Sequence, residues 1–270
     1  MAIIPASDIP SISLLYKLRK LSPPQPSKTP LFPASKQLNS RLALIRADIV
    51  TLATDAIVNA ANRRLLGGGG VDGAIHRAAG PGLYAECAGL RGCATGSAKM
   101  TRAYDLPCRR VIHAVGPVYD PLRAAECEAL LAGCYTRSLE LAAEAGCRSV
   151  AFSAISTGVY GYPSREAAAV ALRTIRRFLE GREEGAKIDK VVIVAFEGKD
   201  VVAYEKLIPL YFPPVVDDET SATAGNTRDQ EIEAELEAEA EAVAQELPDP
   251  PKSDPSDTGH AGKKQKHNDA

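Results

Sequence analysis

From Leu38 onward, short β-branched runs alternate with longer alanine-rich stretches, a pattern that predicts strands interleaved with helices. Strands are expected near 42–46, 56–60, 98–103, 111–115, 149–155 and 190–196, and helices over 73–79, 82–90, 124–145, 164–180 and 201–210. The runs VAFSAI and VVIVAF are apolar almost throughout, as strands covered on both faces are. Within 164–180, Ala167, Ala171, Ile175 and Phe178 recur at helical spacing and form one stripe that packs on the sheet. The expected fold class is α/β, layered as helices over both faces of a sheet.

The flanks break this pattern. Residues 22–35 hold five prolines (Pro23, Pro24, Pro26, Pro30, Pro33), too many for a helix or an interior strand. Three segments follow: a Pro-rich arm over 1–37, a folded domain over 38–212 and an acidic tail over 213–270. Residues 217–270 carry 15 acidic against 5 basic side chains, leaving 27 basic and 19 acidic residues, a net +8, in 1–216. The overall charge of −2 therefore hides a basic domain, which suits a polyanionic ligand such as a diphosphate. Nucleic acid would satisfy the same charge and ranks last. Glu231, Glu235 and Glu239 repel at i, i+4, so a solvated helix or disorder is expected there.

Six cysteines form no CxxC pair and there are only four histidines, so no structural zinc spacing can be assembled and no metal or other cofactor is expected. No run reaches the roughly 20 apolar residues of a membrane span. The expected setting is intracellular, cytoplasmic or nuclear, with the closing GKKQKH as a basic signal; organelle import stays open.

Candidate chemistry concentrates in AIVNAANRRLLGGGGVDGAIHRAAG, residues 56–80. Four consecutive glycines leave main chain bare, so another molecule can approach the peptide groups. Asp72 and His76 stand i, i+4 on one face at a helix N-terminus, where free N–H groups favour anions. Gly68, Gly70 and Gly73 also match G-x-G-x-x-G, but Asp72 would set its charge against the pyrophosphate, and no acidic residue follows about 20 positions on. A dinucleotide-binding dehydrogenase is rejected. Asp72 reads both as a helix N-cap and as an ionised carboxylate that orients a water. Asn62 offers a donor and an acceptor to a ribose hydroxyl, whereas Asn59 reads as tying down the loop and His113 as structural. A second loop, 156–161, runs from a buried strand into a helix, where successive N–H groups can form an anion nest.

Five motifs in order, RADIV (46–50), IVNAAN (57–62), LLGGGGVDGAIHRAAGP (65–81), VIHAVGP (111–117) and AISTGVYGYP (154–163), resemble the macrodomain family, specifically its MacroD-type branch that removes ADP-ribose from proteins. The resemblance covers about Leu38 to Phe212. It implies a three-layer α/β/α macrodomain sandwich with a mixed central sheet, and a hydrolase that cleaves ADP-ribose from acidic side chains of mono-ADP-ribosylated proteins, with O-acetyl-ADP-ribose as a second substrate. A reader module without turnover is the alternative. By resemblance, Asp72 and His76 support hydrolysis and Asn62 holds the distal ribose. Gly68, Gly69, Gly70 and Val71 join Ser156, Thr157, Gly158, Val159 and Tyr160 around the phosphates and distal ribose. Asp48, followed by Ile49, accepts from the adenine amino group, and Phe196 stacks on adenine. Ala47 departs from the pattern, standing where many macrodomains have glycine.

Overall fold

The computed structural model describes residues 2–181 and 183–215. Its strands are β1 (Ile4–Pro5), β2 (Leu42–Ile45), β3 (Leu52–Ala53), β4 (Ala56–Ala60), β5 (Ser97–Arg102), β6 (Arg110–Val115), β7 (Ser149–Ser153) and β8 (Lys190–Val194). Its α-helices are α1 (Ile12–Lys17), α2 (Lys36–Arg41), α3 (Gly70–Ala79), α4 (Pro81–Gly89), α5 (Ala124–Glu144), α6 (Ser164–Glu180) and α7 (Gly198–Tyr211). Six strands form one sheet in the order β2-β8-β7-β4-β6-β5, parallel except for β5, which runs against β6. The expected mixed sheet and three layers are present. The acidic segment from residue 216 on lies outside the described residues.

Each strand divides its side chains between two cores, because successive residues point to opposite faces. Val58, Ile112, Val150, Phe152, Val191 and Ile193 pack with α5, α6 and α7, while Ile57, Val111, Ala151, Val192 and Val194 pack with α3 and α4. The α6 stripe behaves as expected: Ala167, Ala171 and Ile175 are buried, with Phe178 packed at the margin.

Helix α3 begins at Gly70, three residues before the expected start, since Gly70 takes φ +59° and the chain enters the helix through the glycine run. Periodicity did not mark α1 and α2, which are only six residues each; the hydroxyls of Ser11 and Ser35 cap them by accepting from Leu14 and Leu38 N–H. Residues 2–35 lie along the domain, burying Ile9, Ile12 and Leu21. The Lys190 ammonium donates to the Ala6 and Ile9 carbonyls at 2.7 Å each. Arg176, fully buried, donates to the Tyr211 and Pro33 carbonyls and stacks between the Phe32 and Phe212 rings, 4.9 and 5.3 Å from their centroids.

This topology places the candidate loops. Strands β2, β8, β7, β4 and β6 are parallel neighbours, so the segments that follow them all leave the same edge of the sheet, the edge where open α/β sheets bind ligands. The glycine run follows β4 and the 156–161 loop follows β7, its immediate neighbour. Asp48 follows β2 and Phe196 follows β8, the adjacent pair.

Candidate functional site

Asn62 shapes the glycine run. Its amide donates to the Gly67 carbonyl at 2.8 Å and approaches Asp72 Oδ2 at 3.4 Å, and its own carbonyl accepts from Arg64 N–H. Gly67 takes φ +77° against the His76 ring, and a Cβ on Gly68 would sit 3.1 Å from Asp72 Oδ2. At Gly69 and Gly70 a Cβ would meet nothing within 4 Å, so this main chain borders open space. Helix α3 opens there without a side-chain cap. The N–H groups of Gly70, Val71 and Asp72, in its first turn, therefore have no intrahelical partner.

Asp72 is not the N-cap expected above. Gly69 holds that position, and Asp72 lies inside the first turn, 3% exposed. Its carboxylate receives side-chain amides: Asn59 Nδ2 at 2.7 Å on Oδ1 and, more loosely, Asn62 on Oδ2. Free helix N–H groups favour an anion at this position, but they do not set the Asp72 pKa. Burial pushes the Asp72 carboxyl above its ordinary value, outweighing the Asn59 hydrogen bond and the nearby His76. That makes it a stronger base than a capping aspartate. His76 Nε2 stands 3.5 Å from Asp72 Oδ1, on the shared face that the i, i+4 spacing demands, and neither ring nitrogen has a hydrogen-bond partner among the described residues.

Asn59 also departs from its expected loop-tying role. It sits in β4, fully buried, and its amide spans Asp72 and His113 Nδ1, the latter at 3.1 Å. Strand alternation was the available signal: Asn59 shares a face with Ile57, and that face looks toward α3. His113 is buried in β6 as a cross-strand partner of Asn59, and burial followed by the neighbouring His76 pushes its pKa down to about 3. His76, Cys87 and His113 offer ligand atoms within 4.8 Å of one another, yet both His113 nitrogens already meet Asn59 and Thr101, and burial raises the Cys87 thiol to about 12. That trio is a packed polar cluster.

In the second loop, Ser156 adopts φ +69°, and its buried hydroxyl has no partner among the described residues. It occupies the space a Gly116 side chain would need, since a Cβ there would fall 2.0 Å from Ser156 Oγ. Gly116, at the end of VIHAVGP, is thus a site residue that the motif contained and residue chemistry did not flag. Thr157 donates to Asp200 Oδ2 at 3.0 Å, and Lys199 donates to the Thr157 carbonyl at 2.8 Å, so the start of α7 braces this loop. Gly158 borders open space, Val159 is 94% exposed, and the Tyr160 carbonyl accepts from Tyr119 N–H. Asp48 caps a short 3-10 turn by accepting from Val50 N–H, and Ile49 is buried there. Phe196, just past β8, is 56% exposed and so is not a core phenylalanine.

A Macro domain family model matches residues 58–171. The chain is 50% identical to the rat ADP-ribose glycohydrolase MACROD1 (Rattus norvegicus) over 186 residues, 69% of this chain and 71% of that protein. It is also 50% identical to the mouse protein of that name (Mus musculus), over 68% of this chain and 56% of the relative, so it spans little more than half of that protein. Among solved structures, the Trypanosoma brucei macrodomain in complex with ADP-ribose superposes with a TM-score of 0.64 at 38% identity, covering 77% of this chain and 78% of the other.

Proposed function

The chain belongs to the macro domain family, and from that premise we propose that it is an ADP-ribose hydrolase that frees aspartate and glutamate side chains of mono-ADP-ribosylated proteins. The observation that carries this reading is Asp72: a buried, under-bonded carboxylate beside bare glycine main chain at an open helix N-terminus. We assign the diphosphate to the amides of Gly68, Gly69, Gly70 and Val71 and of Ser156 to Tyr160, the distal ribose to Asn62, and adenine to Asp48 and Phe196. The relative solved with ADP-ribose supports this ligand.

In this mechanism Asp72 orients a water toward C1″ of the distal ribose and accepts its proton as the C–O bond forms. The ester C–O bond breaks, and the departing carboxylate returns to the protein. A substrate phosphate assists and His76, 3.5 Å from Asp72, supports the hydrolytic step, both as the family resemblance implies. The same attack on O-acetyl-ADP-ribose would release acetate. A reader without turnover leaves Asp72 only a capping role, and in this structure Asp72 caps nothing, so its burial has no purpose in that reading. Six free cysteines fit a reducing intracellular compartment.

The test is to incubate the intact chain with a protein ADP-ribosylated on acidic residues and to follow free ADP-ribose, beside calorimetric titration with ADP-ribose. Release with binding is expected. Binding without release would leave the reader, and neither would remove the site.

A further inference from the structure

Asn59 donates from a single nitrogen to two acceptors, Asp72 Oδ1 at 2.7 Å and His113 Nδ1 at 3.1 Å. An amide carbonyl in that place would face the Asp72 carboxylate and the ring nitrogen at once. One assignment of protons gives each of these contacts a donor and an acceptor, and it leaves the buried Asn59 carbonyl oxygen without a partner among the described residues. Asn59 NH2 gives one hydrogen to each neighbour, His113 Nδ1 carries a lone pair, and His113 Nε2 carries the proton. That proton points at Thr101 Oγ1, 2.9 Å away, with Cys87 Sγ at 3.5 Å. If His113 instead held its proton on Nδ1, the Asn59 carbonyl would turn inward and meet the Asp72 carboxylate oxygen to oxygen.

We infer that His113, fully buried and outside the pocket, is a positioning residue: as the Nε2–H tautomer it sets the Asn59 amide with its NH2 toward Asp72. The inference rests on the proposed role of Asp72. Two strands and their register make it possible, because Asn59 and His113 are direct partners in the β4–β6 pairing and Thr101 faces them from β5. The ionisable groups around Asp72 are His76 on its own helix, His113 from β6 and Cys87 from α4, with the amides of Asn59 and Asn62 bonded to it. Asn59 is the shortest contact among these, and removing its hydrogen bond from the charged carboxylate moves Asp72 ionisation to higher pH.

The experiment uses the full chain and two readouts. Ring 15N NMR of the wild type is expected to show His113 protonated at Nε2 and bare at Nδ1. His113→Leu is expected to lower kcat roughly tenfold while the ADP-ribose Kd stays within about threefold. It should also shift the acid limb of the kcat profile, together with the Asp72 carboxyl 13C titration, to higher pH. His113→Asn, which restores an acceptor near Nδ1, should recover most of kcat and the wild-type limb. A wild-type Nδ1–H tautomer, or a folded His113→Leu with unchanged kcat and Asp72 titration, overturns the inference. If His113→Leu does not fold, Thr101→Val decides: a lowered kcat with a shifted Asp72 titration supports the inference, and no change in either overturns it. A wild type that binds ADP-ribose without releasing it would sink the proposed activity, and the ring tautomer and the Asp72 titration would still judge the positioning role.

Discussion

Two aspartates flank β4, and they are built in opposite ways. Asp55, just before the strand, accepts from the N–H groups of Arg148 and Ser149, from the Ser149 hydroxyl and from Arg109. Its carbonyl takes the N–H groups of Arg109 and Arg110 as well. Burial pushes its carboxyl up, but these hydrogen bonds prevail and hold it below the ordinary value. Asp55 thus clamps the starts of β4, β6 and β7. Asp72, across the strand, has two amides and open glycine backbone, and its carboxyl is pushed up. A carboxylate that is fully bonded stabilises the sheet, and one left short of partners is available for chemistry.

Replacing each aspartate should separate the two roles. Asp72→Ala is expected to cut ADP-ribose release at least about a hundredfold while the Kd for ADP-ribose stays within about threefold, measured by steady-state release and calorimetry. Equal losses of binding and turnover would mean that Asp72 only shapes the pocket. Asp55→Ala should do the reverse: a loss of about 2 kcal/mol in urea unfolding, from several hydrogen bonds worth roughly 1 kcal/mol each, with turnover per folded molecule unchanged. A drop in kcat instead would join the two edges of the sheet into one functional unit.

Phe196→Ala tests whether the catalytic edge divides its labour. Loss of stacking should weaken ADP-ribose binding by about tenfold, and release at saturating substrate should hold near wild type. Affinity left intact would remove Phe196 from the site.

The smallest effect concerns pH. With its carboxyl raised by burial, folded Asp72 keeps a proton that the unfolded chain has already released. Stability from this group is therefore greatest below the ordinary carboxylate range and falls as pH rises through the raised value. Asp55, with its pKa lowered, has the opposite sign: its contribution is present above that range and is lost as pH falls through the lowered value. Asp72→Asn should accordingly be more stable than wild type at pH 7, with the difference shrinking as acid is added. Chemical denaturation at two pH values measures it, and a destabilised Asp72→Asn at neutral pH would contradict the burial argument.

The layered fold was readable because β-branched runs and alanine-rich helices differ in period, and β4, β6, β7 and β8 matched their expected spans closely. The short helices α1 and α2 escaped notice, since six residues hold too few turns to show a stripe and their stability comes from packing on β2 and β8. Asp72 and His76 were visible through helical spacing, and the glycines through their lack of side chains. Asn59, His113 and Gly116 were not, because their roles depend on which strands become neighbours and in what register.

The order of residues alone determined the alternation of strands and helices, the bare main chain over 67–70 and the Asp72–His76 face, all of them consequences of local geometry over a few residues. Strand order, by contrast, comes from burying two cores at once, and only that global packing put β4 beside β7 and β6. The tertiary structure therefore decided that the two glycine loops share an edge, that Asn59 meets both Asp72 and His113, and that burial, not the helix terminus, governs the charge on Asp72.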